Sequence, residues 1–110
     1  MKQKGSVIMK YSGDVFDWDG TTPYGKATDA VVTKRSILLD WLEEDRKGHL
    51  KATSRDGIHY KGTFGYPTPD PNYEFELTLY RAKEDVLLFG TWYRHEDGVE
   101  GIWAFRLSGK

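Results

Sequence analysis

The chain has 110 residues, 16 basic and 17 acidic side chains, a formal net charge of −1, no cysteine and 15% aromatic residues. That length suits one domain, 1–110, with a single modest core. Balanced, interspersed charge leaves no electrostatic footprint for nucleic acid or an anionic membrane, and the lack of cysteine excludes disulfides, thiolate metal sites and a cysteine nucleophile.

At the N-terminus, MKQKGSVIMKYSG carries basic residues but no apolar run long enough for a signal peptide. No segment approaches the ~20 apolar residues of a transmembrane helix. The expectation is a soluble, cytoplasmic protein without a membrane partner. Ser12-Gly13 reads as the first break. FDWDGTT, residues 16–22, then resembles the first motif of the haloacid-dehalogenase-type phosphotransferases. In that family the first Asp attacks phosphorus and the second shuttles a proton, roles that would fall on Asp17 and Asp19. The motif needs a buried parallel strand before it and a helix after it. Here only Val15 and Phe16 stand between the Gly13-Asp14 break and Asp17, while Pro23 and Gly25 oppose a helix. Thr33 and Lys34 are the nearest phosphate-binding candidates, and no later strand ends in an acidic pair for Mg²⁺. The phosphatase is therefore the minor alternative, and Asp19-Gly20 reads as a β-turn.

The segment SILLDWLEEDRKG, 36–48, supports two readings. Ile37, Leu38, Trp41 and Leu42 follow a helical i, i+1, i+4, i+5 spacing, with Ser36 as a cap and Gly48 as a stop, giving a short helix near 36–47. The preferred reading is a strand over 37–43 followed by a charged tip at Glu44–Gly48, because the neighbouring segments all read as strands. Next, a three-residue loop Arg55-Asp56-Gly57, with Gly57 left-handed, would pair Ser54 with Ile58 and Ala52 with Tyr60. Leu50, Ala52, Ile58, Tyr60 and Phe64 would then share the inner face. YPTPDPN, 66–72, holds three of the four prolines, so no regular element crosses it.

The C-terminal part predicts three strands that agree on one apolar face. In YEFELTLYR, Tyr73, Phe75, Leu77, Leu79 and Arg81 alternate with polar neighbours and point inward. A two-residue turn at Lys83-Glu84 pairs Leu79 with Leu88, Phe75 with Trp92 and Tyr73 with Arg94. A two-residue turn at Asp97-Gly98 pairs Trp92 with Trp103; widening it to HEDG shifts the partners by two and leaves the faces unchanged. Close turns and short strands define an all-β fold, an antiparallel up-and-down meander closing into a barrel of about eight strands. The stretch LLFGTWYRHEDGVEGIWAF, with the Trp- and Gly-rich meander around it, resembles a small calycin-type barrel of the lipocalin, fatty-acid-binding or avidin kind. The resemblance implies a small apolar or amphipathic ligand.

The candidate binding residues are Tyr60, Tyr73, Phe75, Trp92, Arg94 and Trp103. An inward Arg94 beside Tyr73 is costly unless it meets a carboxylate, an anionic ligand or water. Alternatively the interior is an ordinary filled core, and the outward Phe89, Tyr93 and Ile102 form a patch for a protein partner or a homo-oligomer. His49, His59 and His95 lack ligand-like spacing, so no metal or cofactor is expected. The HEDG tip serves as a turn, and no residue is assigned a catalytic role.

Overall fold

The structure, a computed structural model, describes residues 9–16, 23–44, 46–66, 73–96 and 98–109. They form eight strands: β1 (Met9–Phe16), β2 (Pro23–Val32), β3 (Ser36–Glu43), β4 (Lys47–Ser54), β5 (His59–Gly65), β6 (Tyr73–Ala82), β7 (Asp85–Arg94) and β8 (Val99–Gly109). Each strand pairs antiparallel with the next, and β8 pairs with β1, so the sheet closes on itself in chain order. Closure leaves no strand edge among them to template aggregation. Among the described residues no helix is long and apolar enough to cross a membrane.

Period-2 alternation carries the fold. Along β3, Ile37, Leu39 and Trp41 are buried while Leu38, Asp40 and Leu42 are exposed. The strand reading of this segment holds and the helix near 36–47 is absent. The helical spacing had counted Leu38 and Leu42 as core, but both face solvent. On β6, Tyr73, Phe75, Leu77 and Leu79 are buried; Arg81, at the end of that row, is exposed. The inward residues of all strands make one core, aliphatic at one end and aromatic at the other. Leu88, fully buried in its aliphatic part, is a position where truncation to Ala removes about 2–5 kcal/mol.

The turns explain both the agreements and the shifts. Lys83-Glu84 closes β6 onto β7, with Lys83 at φ 59°, and the register Leu79–Leu88, Phe75–Trp92 and Tyr73–Arg94 is as expected. Between β7 and β8 the wider form is adopted: Arg94 pairs with Val99, Trp92 with Gly101 and Gly90 with Trp103. The β4–β5 loop is wider than the three residues expected. Ser54 pairs with Tyr60 and Ala52 with Gly62, a shift of two that keeps Leu50, Ala52, Tyr60 and Phe64 inward. Ile58 falls in the loop instead and is exposed. The cause is Asp56, whose carboxylate accepts the Ile58 and His59 N–H groups, both at 2.8 Å, while Ser54 Oγ accepts the Gly57 N–H at 2.9 Å. This turn occupies residues that a tight hairpin would pair.

Two expected breaks are strand residues. Gly13 lies inside β1, next to a register shift after Tyr11, and a Cβ there would sit 1.9 Å from the Arg106 carbonyl oxygen of β8. Gly48 lies inside β4 beneath Trp41. FDWDGTT falls, apart from Phe16, outside the described residues. It is flanked by the antiparallel strands β1 and β2, and Pro23 opens a strand, not a helix. The phosphatase context is missing on both sides.

Candidate binding site at the barrel mouth

The aromatic end of the barrel is built by residues whose spacing along single strands is two. Trp41 and Glu43 on β3, Phe64 on β5, Tyr73 and Phe75 on β6, Trp92 and Arg94 on β7, and Trp103 and Phe105 on β8 all occupy inward rows at this end. Phe64 is the hub. Its ring lies 4.5 Å from both Tyr73 and Trp103, 6.1 Å from Phe75 and 6.4 Å from Trp92 between ring centres. Trp41 meets Trp103 edge-on at 5.5 Å. Such tilted and edge-to-face pairs each add about 0.5–1.5 kcal/mol beyond their burial.

Two tryptophans need a glycine opposite them. Trp41 faces Gly48 across β3–β4, and a Cβ on Gly48 would come within 2.1 Å of the indole. Trp92 faces Gly101 across β7–β8, where a Cβ would lie 2.7 Å from the indole nitrogen. Each indole therefore lies over bare backbone, a use of strand glycine for close approach.

Above the rings sits a polar rim. Glu43 Oε2 accepts the Trp41 indole N–H at 2.8 Å and the Tyr66 hydroxyl at 2.9 Å, and Oε1 accepts Arg46 Nε at 3.3 Å. The Arg46 guanidinium lies 3.7 Å over the Tyr66 ring, a cation–π geometry. Burial, the hydrogen bond to Glu43 and the charge of Glu43 raise the Tyr66 pKa, so its proton is held firmly. Burial works against the charge on Arg46, but Tyr66 and Glu43 outweigh it and its pKa is raised. Trp103 Nε1 donates to the Tyr24 hydroxyl at 2.8 Å, and Arg94 donates to the Tyr73 hydroxyl at 3.3 Å.

These groups enclose an open cavity of about 180 Å³ bounded by Glu43, Arg46, Phe64, Tyr66, Trp92 and Arg94, with Tyr24, Tyr73 and Trp103 completing the wall. Below it the inward side chains form one continuous buried cluster. Of the residues singled out from sequence, Tyr73, Phe75, Trp92, Arg94 and Trp103 come together here. Tyr60 does not: it lies at the opposite end, its hydroxyl donating to the Thr33 carbonyl at 2.6 Å, with its pKa raised by burial. Phe64, Trp41, Glu43, Arg46, Tyr66 and Tyr24 were not singled out. Trp41 and Glu43 stand two apart, a pattern that places both on one strand face.

A larger space, about 710 Å³, lies on the outside of the barrel over β2–β5, lined by Thr28, Asp40, Leu42, Lys47, His49 and Gly65 among others. It is an open groove that also reaches Trp41, Gly48 and Tyr66, so it adjoins the aromatic cluster from outside the barrel, whereas among the described residues Arg46 and Arg94 both line the mouth cavity. The three histidines are exposed and each neighbours a carboxylate: His49 with Asp40, His59 with Asp56 at 2.7 Å, and His95 with Glu74 at 2.9 Å. Among the described residues no group of three or more His, Asp or Glu is placed to hold a metal ion. The fold and site define an eight-stranded antiparallel closed barrel with an aromatic cluster at one mouth. No protein-family model, curated protein or solved structure gives a significant match to the chain.

Proposed function

We propose that the barrel binds a small amphipathic molecule at its mouth, with a ring or short chain against Phe64 and Trp92 and a polar group at Arg94 and Tyr73. The observation that carries this reading is the cavity of about 180 Å³ in which half-buried Trp92 and Arg94 meet above the buried aromatic cluster. Ligand sites combine apolar walls with a few placed polar groups, and drug-sized ligands occupy ~300–1,000 Å³. The mouth is smaller, so it suits one ring or a short chain. In this reading Trp103, 2% exposed and tied to Tyr24, backs Phe64 rather than stacking on the ligand. Native mass spectrometry of freshly purified protein tests it. The expected result is a small bound mass that disappears in a folded Arg94→Ala variant. A bound mass unaffected by both Arg94→Ala and Trp92→Ala would place binding elsewhere and refute the reading.

A second reading, a protein-interaction module, is favoured by the outer face of β6–β8. Tyr80, Leu87, Phe89, Tyr93 and Ile102 are all exposed there on adjacent strands. Light scattering on wild type and a Phe89→Lys variant distinguishes an assembly through this face from a monomer. A wild-type monomer at high micromolar concentration would remove self-association.

A further inference from the structure

The outward residues of β8 run Glu100, Ile102, Ala104, Arg106: an acid, two apolar residues and a base. Beside them on β7, Tyr93 pairs with Glu100, Thr91 with Ile102, Phe89 with Ala104 and Leu87 with Arg106. The two strands thus present successive outer rows with a carboxylate at one end and a guanidinium at the other. Between those ends Tyr93, Phe89, Leu87 and Ile102 are each 40–46% exposed. An apolar patch rimmed by charge is the mark of an interaction surface.

This pattern is its own complement when reversed. A two-fold axis lying in the interface and crossing the strands at the level of Gly90 and Trp103, which pair, lays each strand antiparallel on its copy. Glu100 then meets Arg106 of the second copy, Tyr93 meets Leu87, Phe89 meets Thr91 and Ile102 meets Ala104. On β6, where Leu77 pairs with Gly90, the same axis sets Tyr80 against Glu74. In such an isologous interface every contact occurs twice. Other placements lose the match. An axis running along β7 lays Glu74 of one copy on Glu100 of the other, like charge on like. Moving the crosswise axis by one residue, to Phe89, sets Tyr93 against Asp85 and Arg106 against Ile102. Within the chain Arg106 lies 3.7 Å from Asp85, with side chains 68% and 37% exposed. Its guanidinium carries five N–H donors and can serve both carboxylates.

We propose that the outer face of β6–β8 docks a second copy of this chain in that register, as an isologous dimer keyed by two Glu100–Arg106 contacts. This rests on the outer-face reading and adds the occupant and its orientation. A patch three strands wide and ~20 Å long is smaller than the ~800 Å² per partner of a standard interface, so the dimer forms at about 10–100 µM.

Sedimentation equilibrium on the whole chain, from low to high micromolar concentration, tests it. Wild type is expected to dimerise and Phe89→Lys to stay monomeric. Glu100→Lys and Arg106→Glu should each weaken the dimer by about tenfold or more, since like charges then meet at both symmetric contacts. An equimolar mixture of those two variants should recover it to within about threefold, because each cation then faces an acid. Should Arg106→Glu lose its folded circular dichroism beside Asp85, Glu100→Lys is compared with Glu100→Gln, and the reversal should weaken the dimer more than the neutral change. If Phe89→Lys dissociates the dimer but the charge reversals do not, the outer-face reading stands and the register is overturned. A dimer indifferent to Phe89→Lys removes both. A wild type that stays monomeric throughout overturns the proposal and leaves the face to a different protein.

Discussion

Replacing Gly48 with alanine should damage the mouth out of proportion to the one methyl group added. The new Cβ would lie 2.1 Å from two ring atoms of Trp41, so one of them must move. Trp41 is 1% exposed and walled by Phe64, Tyr66, Trp103 and Phe105, whose centres lie 5.5–6.3 Å away. Overpacking of this kind costs about 1–3 kcal/mol. Swinging the indole aside also breaks its hydrogen bond to the Glu43 carboxylate, and a bond to a charged group contributes about 1.5–3 kcal/mol. The sum is roughly 2.5–6 kcal/mol, against a total stability of about 5–15 kcal/mol for a domain. A loss near 3 kcal/mol lowers Tm by roughly 10–15 °C at this chain length. Urea unfolding followed by far-ultraviolet circular dichroism measures it. Gly65→Ala is the control, because nothing lies within 4 Å of its Cβ; it should be neutral or slightly stabilising. Combining Gly48→Ala with Trp41→Leu should recover part of the loss. A Gly48→Ala protein within 0.5 kcal/mol of wild type, taken here as about the scatter of a surface substitution, would refute the stacking of Trp41 on this glycine.

Gly57 has φ 75°, so Gly57→Ala should destabilise by about 1–2 kcal/mol in urea titration, with Gly57→Asn less affected. A neutral Gly57→Ala would contradict the left-handed turn. The Asp56 pKa is lowered by the hydrogen bond from the His59 side chain and then by the His59 and Ile58 N–H groups. A lowered carboxyl pKa gives stability that is present above the unfolded value near pH 4 and lost as pH falls through the folded one. Wild type should therefore exceed Asp56→Asn in stability at pH 6, with the gap narrowing at pH 3; a constant gap argues against it. The Tyr66 pKa is raised above the ordinary 10.0, chiefly by burial. Its contribution is thus full below pH 10 and declines as pH rises beyond, and Tyr66→Phe should flatten that alkaline limb. An ultraviolet titration in which Tyr66→Phe removes an early-titrating tyrosine would count against this assignment.

The three C-terminal strands were legible because alternation is strict there and Lys83-Glu84 determines one register. The HEDG turn shows the limit of that reasoning: both loop widths preserved the faces, and only the pairing of Trp92 with Gly101 separates them. The 36–48 segment was ambiguous because helical and strand periods share Ile37 and Trp41, and only neighbouring strands decide between them. The mouth was half legible. Tyr73, Phe75, Trp92, Arg94 and Trp103 belong to the strands whose faces could be read. Arg46 and Tyr66 lie at strand ends, where no periodicity places a side chain. Tyr60 was assigned to the right face but lies at the wrong end.

That last case marks the division between what each level of description determines. The sequence by itself determined the class of fold, the inward set on most strands and the positions of the turns, because these are local consequences of period-2 alternation and turn chemistry. Tertiary structure decided how far along the barrel each inward residue sits, and so which rings meet. Height depends on the stagger between strands and on the bulges at Tyr11, Val15 and Ala27. It also determined closure of β8 onto β1, which brings Trp103 against Trp41 from the far part of the chain. Alternation reports one coordinate, in or out; a binding mouth needs the other two, and those exist only once the sheet has closed.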